Sequence, residues 1–159
     1  MPTARRELLL FLGFLALAGN PAGKASACVG NTEMTSPDGK TTVRINREGA
    51  KGCGESRIEV FEADGHLLAI ADYTSRDGKN GEGVEFAVWS ADSRFFVFST
   101  SNSEGRHKGS FLIEAYGREA NRLQPVAEAA KAEFSLGEGD MVDFAGKDGG
   151  TRQVELATK

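Results

Sequence analysis

The side chains able to carry redox, metal or acid–base chemistry are few. Cys28 and Cys53 are the only cysteines, and His66 and His107 the only histidines. Two cysteines in an exported chain read as a disulfide, and closing that loop of about 26 residues is worth roughly 3 kcal/mol in the chain-entropy model. A zinc site needs four ligands. These four residues show neither CxxC nor HxxxH spacing, so no metal site is expected. His66 follows Asp64-Gly65, a hairpin exit, and His107 lies in the charged run Arg106-His107-Lys108. No Gly-x-Ser-x-Gly elbow, phosphate-cradling glycine loop or His-Glu-x-x-His occurs, so neither a catalytic constellation nor a cofactor is expected. A small hydrolase built on His107 with Ser101 or Ser103 is the enzymatic alternative. Asp77, Asn80 and Glu82 offer oxygen ligands for calcium, but their spacing is not that of an EF-hand. Tyr73 and Trp89 are aromatic side chains able to stack on a peptide or sugar.

The elements that must hold these residues are strands. Apolar and polar residues alternate at Val43/Ile45, Ile58/Val60, Leu68/Ile70, Val84/Phe86/Val88, Phe111/Ile113/Ala115, Phe134/Leu136, Val142/Phe144 and Val154/Leu156. Period-two alternation marks strands with one buried face. The run Phe95-Phe96-Val97-Phe98 is apolar throughout, as a strand covered on both faces requires. Its even and odd residues should face different layers. Four Asp-Gly pairs, at 38–39, 64–65, 77–78 and 148–149, supply hairpin turns. The composition around Pro125-Val126-Ala127-Glu128-Ala129-Ala130-Lys131 favours helix. An all-β fold of nine or ten antiparallel strands is expected, in blade-like meanders or a two-sheet sandwich, with one short helix near 126–133.

Two polar connections, 74–83 and 99–109, exceed the usual hairpin length. If strands 84–89 and 95–100 pair through the 90–94 turn, both connections emerge at the same end of the sheet. Their mixed charges suit a polar partner. The candidate binding residues are Tyr73, Lys79, Asn80, Trp89, Arg106 and His107.

Ser36-Pro37-Asp38-Gly39-Lys40 opens one strand, and Trp89-Ser90-Ala91-Asp92-Ser93-Arg94 opens another 54 positions later. Each is followed by a loop and a further strand, the second written Phe111-Leu112-Ile113-Glu114-Ala115-Tyr116. Over residues 36–125 this resembles the WD40-like repeat of TolB-type β-propellers. A blade takes about 40–45 residues and a propeller typically four to eight blades. The chain is therefore too short to close one alone. The resemblance implies a binding scaffold and brings no active site with it.

Residues 1–27 read as a signal peptide, with Arg5 and Arg6, an apolar run over 8–18 and the small-x-small pattern Ala25-Ser26-Ala27. The run is too short to span a membrane, and no comparable one follows. Removing 27 of the 159 residues leaves a single all-β domain of 132, at 28–159. The net charge of −4 becomes −6 in that domain, because the segment removed carries Arg5, Arg6 and Lys24 against Glu7. An acidic domain argues against nucleic acid as a partner. The expected protein is secreted or periplasmic and non-enzymatic, interacting with an envelope or extracellular protein. The alternatives are lipid anchoring at Cys28 and a structural role in an envelope complex. The intact mass of the exported protein should equal residues 28–159 less two hydrogens. A diacylglyceryl adduct on Cys28 would contradict this processing.

Overall fold

The computed structural model describes residues 28–49, 53–102 and 109–157. The proposed signal peptide lies outside them. Eleven strands follow one another: β1 Thr32–Thr35, β2 Thr41–Glu48, β3 Glu55–Glu62, β4 Leu67–Asp72, β5 Glu82–Trp89, β6 Phe95–Asn102, β7 Phe111–Gly117, β8 Arg122–Ala129, β9 Phe134–Leu136, β10 Met141–Ala145 and β11 Thr151–Glu155. They form three antiparallel meanders, β1-β2-β3-β4, β5-β6-β7-β8 and β9-β10-β11, in which each strand pairs with its neighbour in the chain. The meanders are three separate antiparallel sheets rather than two, and among the described residues the sheets do not close into a barrel.

The sheets pack in series. Val43, Ile45, Ile58 and Val60 of the first sheet meet Val84, Trp89, Phe96, Phe98 and Tyr116 of the second. On its other face the second sheet sets Phe95, Val97, Ile113, Ala115 and Ala129 against Phe134, Val142, Phe144 and Leu156. The middle sheet is thus covered on both sides. This accounts for the uninterrupted apolar run in β6, whose four residues are all buried with the expected split between faces. The outer face of the first sheet carries a polar ladder instead. Arg44 pairs with Glu33 (2.8 Å), and Arg57 with Glu59 (3.2 Å) and Asp72 (3.8 Å). Arg44 also lies over the Phe61 ring.

The expected helix near 126–133 is not formed. Residues 122–129 are strand β8, and the one helical segment among the described residues is a 3-10 turn at Glu138–Asp140. Pairing with β7 overrides the local helix preference. Pro125 is tolerated because β8 is an edge strand, where its missing N–H breaks no ladder. The register slips by one residue beside it, leaving Val126 as the extra residue opposite the Ile113/Glu114 step.

Phe98 is fully buried and its ring contacts both Phe96 and Tyr73. Phe98→Ala should cost about 3–5 kcal/mol in denaturant unfolding. A change in melting temperature of no more than a degree or two would contradict the central placement of β6.

Candidate functional site

The β5–β6 register fixes the geometry of the candidate site. Trp89 pairs with Phe96 at the 90–94 turn, and Glu82 pairs with Asn102 at the opposite end. Connections 74–83 and 99–109 therefore start from the same end of the middle sheet. Of the second connection, residues 103–108, including Arg106 and His107, lie outside the described residues.

The first connection is built on a repeated turn. In 36–41 the Ser36 hydroxyl donates to Asp38 (2.7 Å), the Lys40 amide to Asp38 (3.1 Å) and the Thr41 amide to the Ser36 oxygen (3.1 Å). In 90–95 the same bonds run from Ser90 to Asp92 (2.7 Å), from the Arg94 amide to Asp92 (3.1 Å) and from the Phe95 amide to Ser90 (2.9 Å). Ser75-Arg76-Asp77-Gly78-Lys79-Asn80 is a third copy, with the Lys79 amide on Asp77 (3.1 Å) and the Asn80 amide on Ser75 (3.1 Å). The Asn80 side chain also donates to Asp77 (2.5 Å). The Asp77 oxygens are spent on the turn rather than held open as cation ligands.

A buried carboxylate holds this turn in place. Glu55, at the start of β3, is only 2% exposed. It accepts the amides of Ser75 (2.6 Å) and Gly81 (2.7 Å). The Ser75 hydroxyl has one proton for two carboxylates and lies between Glu55 (2.6 Å) and Asp77 (2.8 Å). Gly81 permits the close approach, because a Cβ there would stand 2.2 Å from the Tyr73 carbonyl and 2.5 Å from the Glu55 carboxyl carbon. Burial pushes the Glu55 pKa up, but hydrogen bonds from Ser75 and Gly81 outweigh it and hold the carboxyl below its ordinary value.

Tyr73 sits where the first two sheets meet. Its ring stands edge-on to Phe98 at 6.2 Å, and its hydroxyl donates to Glu114 of β7. Burial raises the Tyr73 pKa, with Glu114 and Glu82 adding to the effect. Glu114 is raised by burial and by nearby Glu82, against the Tyr73 hydrogen bond that lowers it. Glu82 accepts the Thr100 hydroxyl at 2.7 Å.

The candidate residues therefore separate. Lys79 and Asn80 are exposed on the turn, with Tyr73 partly buried beside its root. Trp89 lies at the far end of β5, 8% exposed, its ring on Phe96 and its Nε1–H donated to the Met34 carbonyl (2.9 Å). It packs the core and does not join the others. Ser101 donates to Glu85, and Ser103 lies outside the described residues. His66 is exposed at the β3–β4 hairpin, where its amide donates to Asp64 (2.9 Å). Cys28 and Cys53 are disulfide-bonded with Cα atoms 4.9 Å apart, which ties the segment before β1 to the segment before β3. Sequence reasoning missed Glu55, because a Glu at a strand start reads as a solvent position. The third turn was legible as another Ser-x-Asp-Gly-Lys.

No family model matches this chain, and no curated protein does. Solved structures that resemble it include two sugar-acid enzymes by name. The Pseudomonas aeruginosa periplasmic gluconolactonase PpgL has 17% identity over 80% of this chain and 36% of its own, with a TM-score of 0.46. An oligogalacturonate lyase in complex with manganese has 14% identity over 73% of this chain and 33% of its own, with a TM-score of 0.45. The chain spans about a third of the length of either.

The ionised Glu55 generates a pH prediction. A carboxyl whose folded pKa lies below its unfolded value stabilises the fold above the unfolded value, and that contribution is lost as pH falls through the folded one. Glu55→Gln should lower stability at pH 7 by about 2–3 kcal/mol, since charged hydrogen bonds are lost and an amide group is set against amide donors. The gap between wild type and variant in urea unfolding should narrow as pH falls from 6 towards 3. A gap that does not narrow would mean that the fold does not hold the Glu55 carboxyl below its unfolded value.

Proposed function

We propose that this chain is an exported, non-enzymatic interaction domain that engages its partner through the loop end of its first two sheets. The observation that carries this reading is the Glu55 anchor. A carboxylate is withdrawn from water to fix a turn whose residues 76–80 are exposed, and the turn presents Lys79 and Asn80 in a set geometry. A binding surface gains from such preorganisation, because little ordering entropy remains to be lost on association. The second connection, with Arg106 and His107, leaves the same end of the sheet.

Secretion or periplasmic location belongs to the same proposal. It is supported by the charged-then-apolar N-terminus and the Cys28–Cys53 disulfide. No helix among the described residues is long and apolar enough to cross a membrane. The partner class that fits the mixed charge of the loops is an envelope or extracellular protein with a polar surface.

Capture from envelope extracts with the tagged domain, followed by mass spectrometry, identifies the partner. A variant with Lys79, Asn80, Arg106 and His107 all changed to Ala should then bind it at least about tenfold more weakly, roughly 1.4 kcal/mol. Its melting temperature should stay within about two degrees of wild type. Unchanged affinity in a folded variant would place the site elsewhere. Hydrolytic turnover of general esterase, phosphatase or peptidase substrates that disappears in His107→Ala would replace the binding reading with an enzymatic one.

A further inference from the structure

Beside the two connections, on the face of the middle sheet that looks toward the third, packing is incomplete. A cavity of about 390 Å³ opens between Phe86 of β5 and Phe111 of β7, roofed by residues 130–133 of the β8–β9 connector. Its size lies within the range of small ligand pockets. Phe86 is only half-buried although Phe134 stands edge-on to it at 4.9 Å. Ser99, paired in register with both Phe86 and Ile113, is fully buried, and its hydroxyl has no hydrogen-bond partner among the described residues. A buried orphan hydroxyl under a half-covered aromatic ring marks a face left unfinished in the free protein.

The rim has a definite charge. Glu85 and Glu133 both line the cavity, with Lys131 as the single cation among the described residues. Neither carboxylate has an ion pair among the described residues, and Glu85 takes only the Ser101 hydroxyl. An apolar cleft lined by two carboxylates against one lysine among the described residues complements a side chain that is apolar in the cleft and flanked by a cation.

We infer that this cavity is the anchor pocket for a partner polypeptide that inserts one apolar side chain between Phe86 and Phe111 and sets a neighbouring Lys or Arg against Glu85 and Glu133. The inference rests on the binding-domain reading above and names the chemistry of its partner. It supplies the apolar anchor that Trp89, being in the core, does not provide.

Two probes test it, N-acetyl-Leu-Lys-amide and N-acetyl-Leu-Glu-amide, each titrated into the 15N-labelled, disulfide-bonded domain. The basic peptide should shift the amides of Phe86, Phe111 and 130–133, and bind at least tenfold more tightly than the acidic one. In the Glu85→Gln, Glu133→Gln variant that preference should fall to less than twofold. Ala132→Phe, which fills the cavity, should abolish binding of both. Should that variant fail to fold, Ala130→Leu fills the same space with a smaller side chain. Equal affinity for the two peptides, no binding of either, shifts confined to other residues, or binding that survives a folded cavity-filling variant would each overturn the inference. Loss of the captured partner in the four-alanine loop variant, together with failure here, removes the pocket and keeps the binding reading. Partner capture that survives the loop variant removes the loop reading whatever the peptides do.

Discussion

A strand that is apolar on both faces must be covered twice. In β6, Phe96 and Phe98 need one layer and Phe95 and Val97 another, so the β5–β8 sheet is forced into the middle of a three-sheet series. The flanking sheets need only one apolar face each. The first sheet shows this directly, with Val43, Ile45, Ile58 and Val60 inward and the Glu33, Arg44, Glu59, Arg57 and Asp72 ladder outward. A polar outer face ends a stack of sheets without leaving a wide sticky surface. The exposed large apolar side chains among the described residues are Leu67, Ile70 and Leu112.

The loop end depends on this scaffold at two points. Tyr73 rests its ring on Phe98 of the middle strand while its hydroxyl reaches Glu114, so the root of the 74–83 connection is bonded to the second sheet as well as the first. Glu55 then fixes the turn itself. An unpaired buried carboxylate would be costly, and three donors offset that cost only with the backbone of Ser75 and Gly81 in this geometry. Fold and candidate function therefore share one constraint, since loosening Glu55 leaves a buried charge without partners and a surface turn without support. The same middle sheet presents Phe86 and Phe111 on its other face, so both parts of the proposed surface are referred to one rigid layer.

Much of this architecture was legible before any coordinates. Alternation located most of the strands, and the unbroken run at 95–98 identified the strand covered twice. The Ser-Pro-Asp-Gly-Lys and Ser-Ala-Asp-Ser-Arg segments gave two turns of one design. The misses have physical reasons. Strand β8 was hidden because Ala, Glu and Lys favour helix locally, and only pairing with β7 decides otherwise. Tyr73 or Trp89 is the aromatic anchor the sequence suggests, but Trp89 lies at the turn end of β5, while Tyr73 bonds to Glu82 at the other end. Glu55 carries no local sign of burial, because its three hydrogen bonds come from residues 20 and 26 positions away. Long-range satisfaction of a polar group leaves no trace in the periodicity of its own strand.

The central claim is that the surface turn at 75–81 is as much a part of the fold as the strands beneath it. Native-state amide hydrogen exchange at neutral pH reads this directly. The account predicts that the Lys79, Asn80 and Gly81 amides, bonded to Asp77, Ser75 and Glu55, exchange at least a hundredfold more slowly than an unstructured chain, with β6 slowest of all. Exchange of those three amides at the rate of an unstructured chain, with β6 still protected, would contradict it.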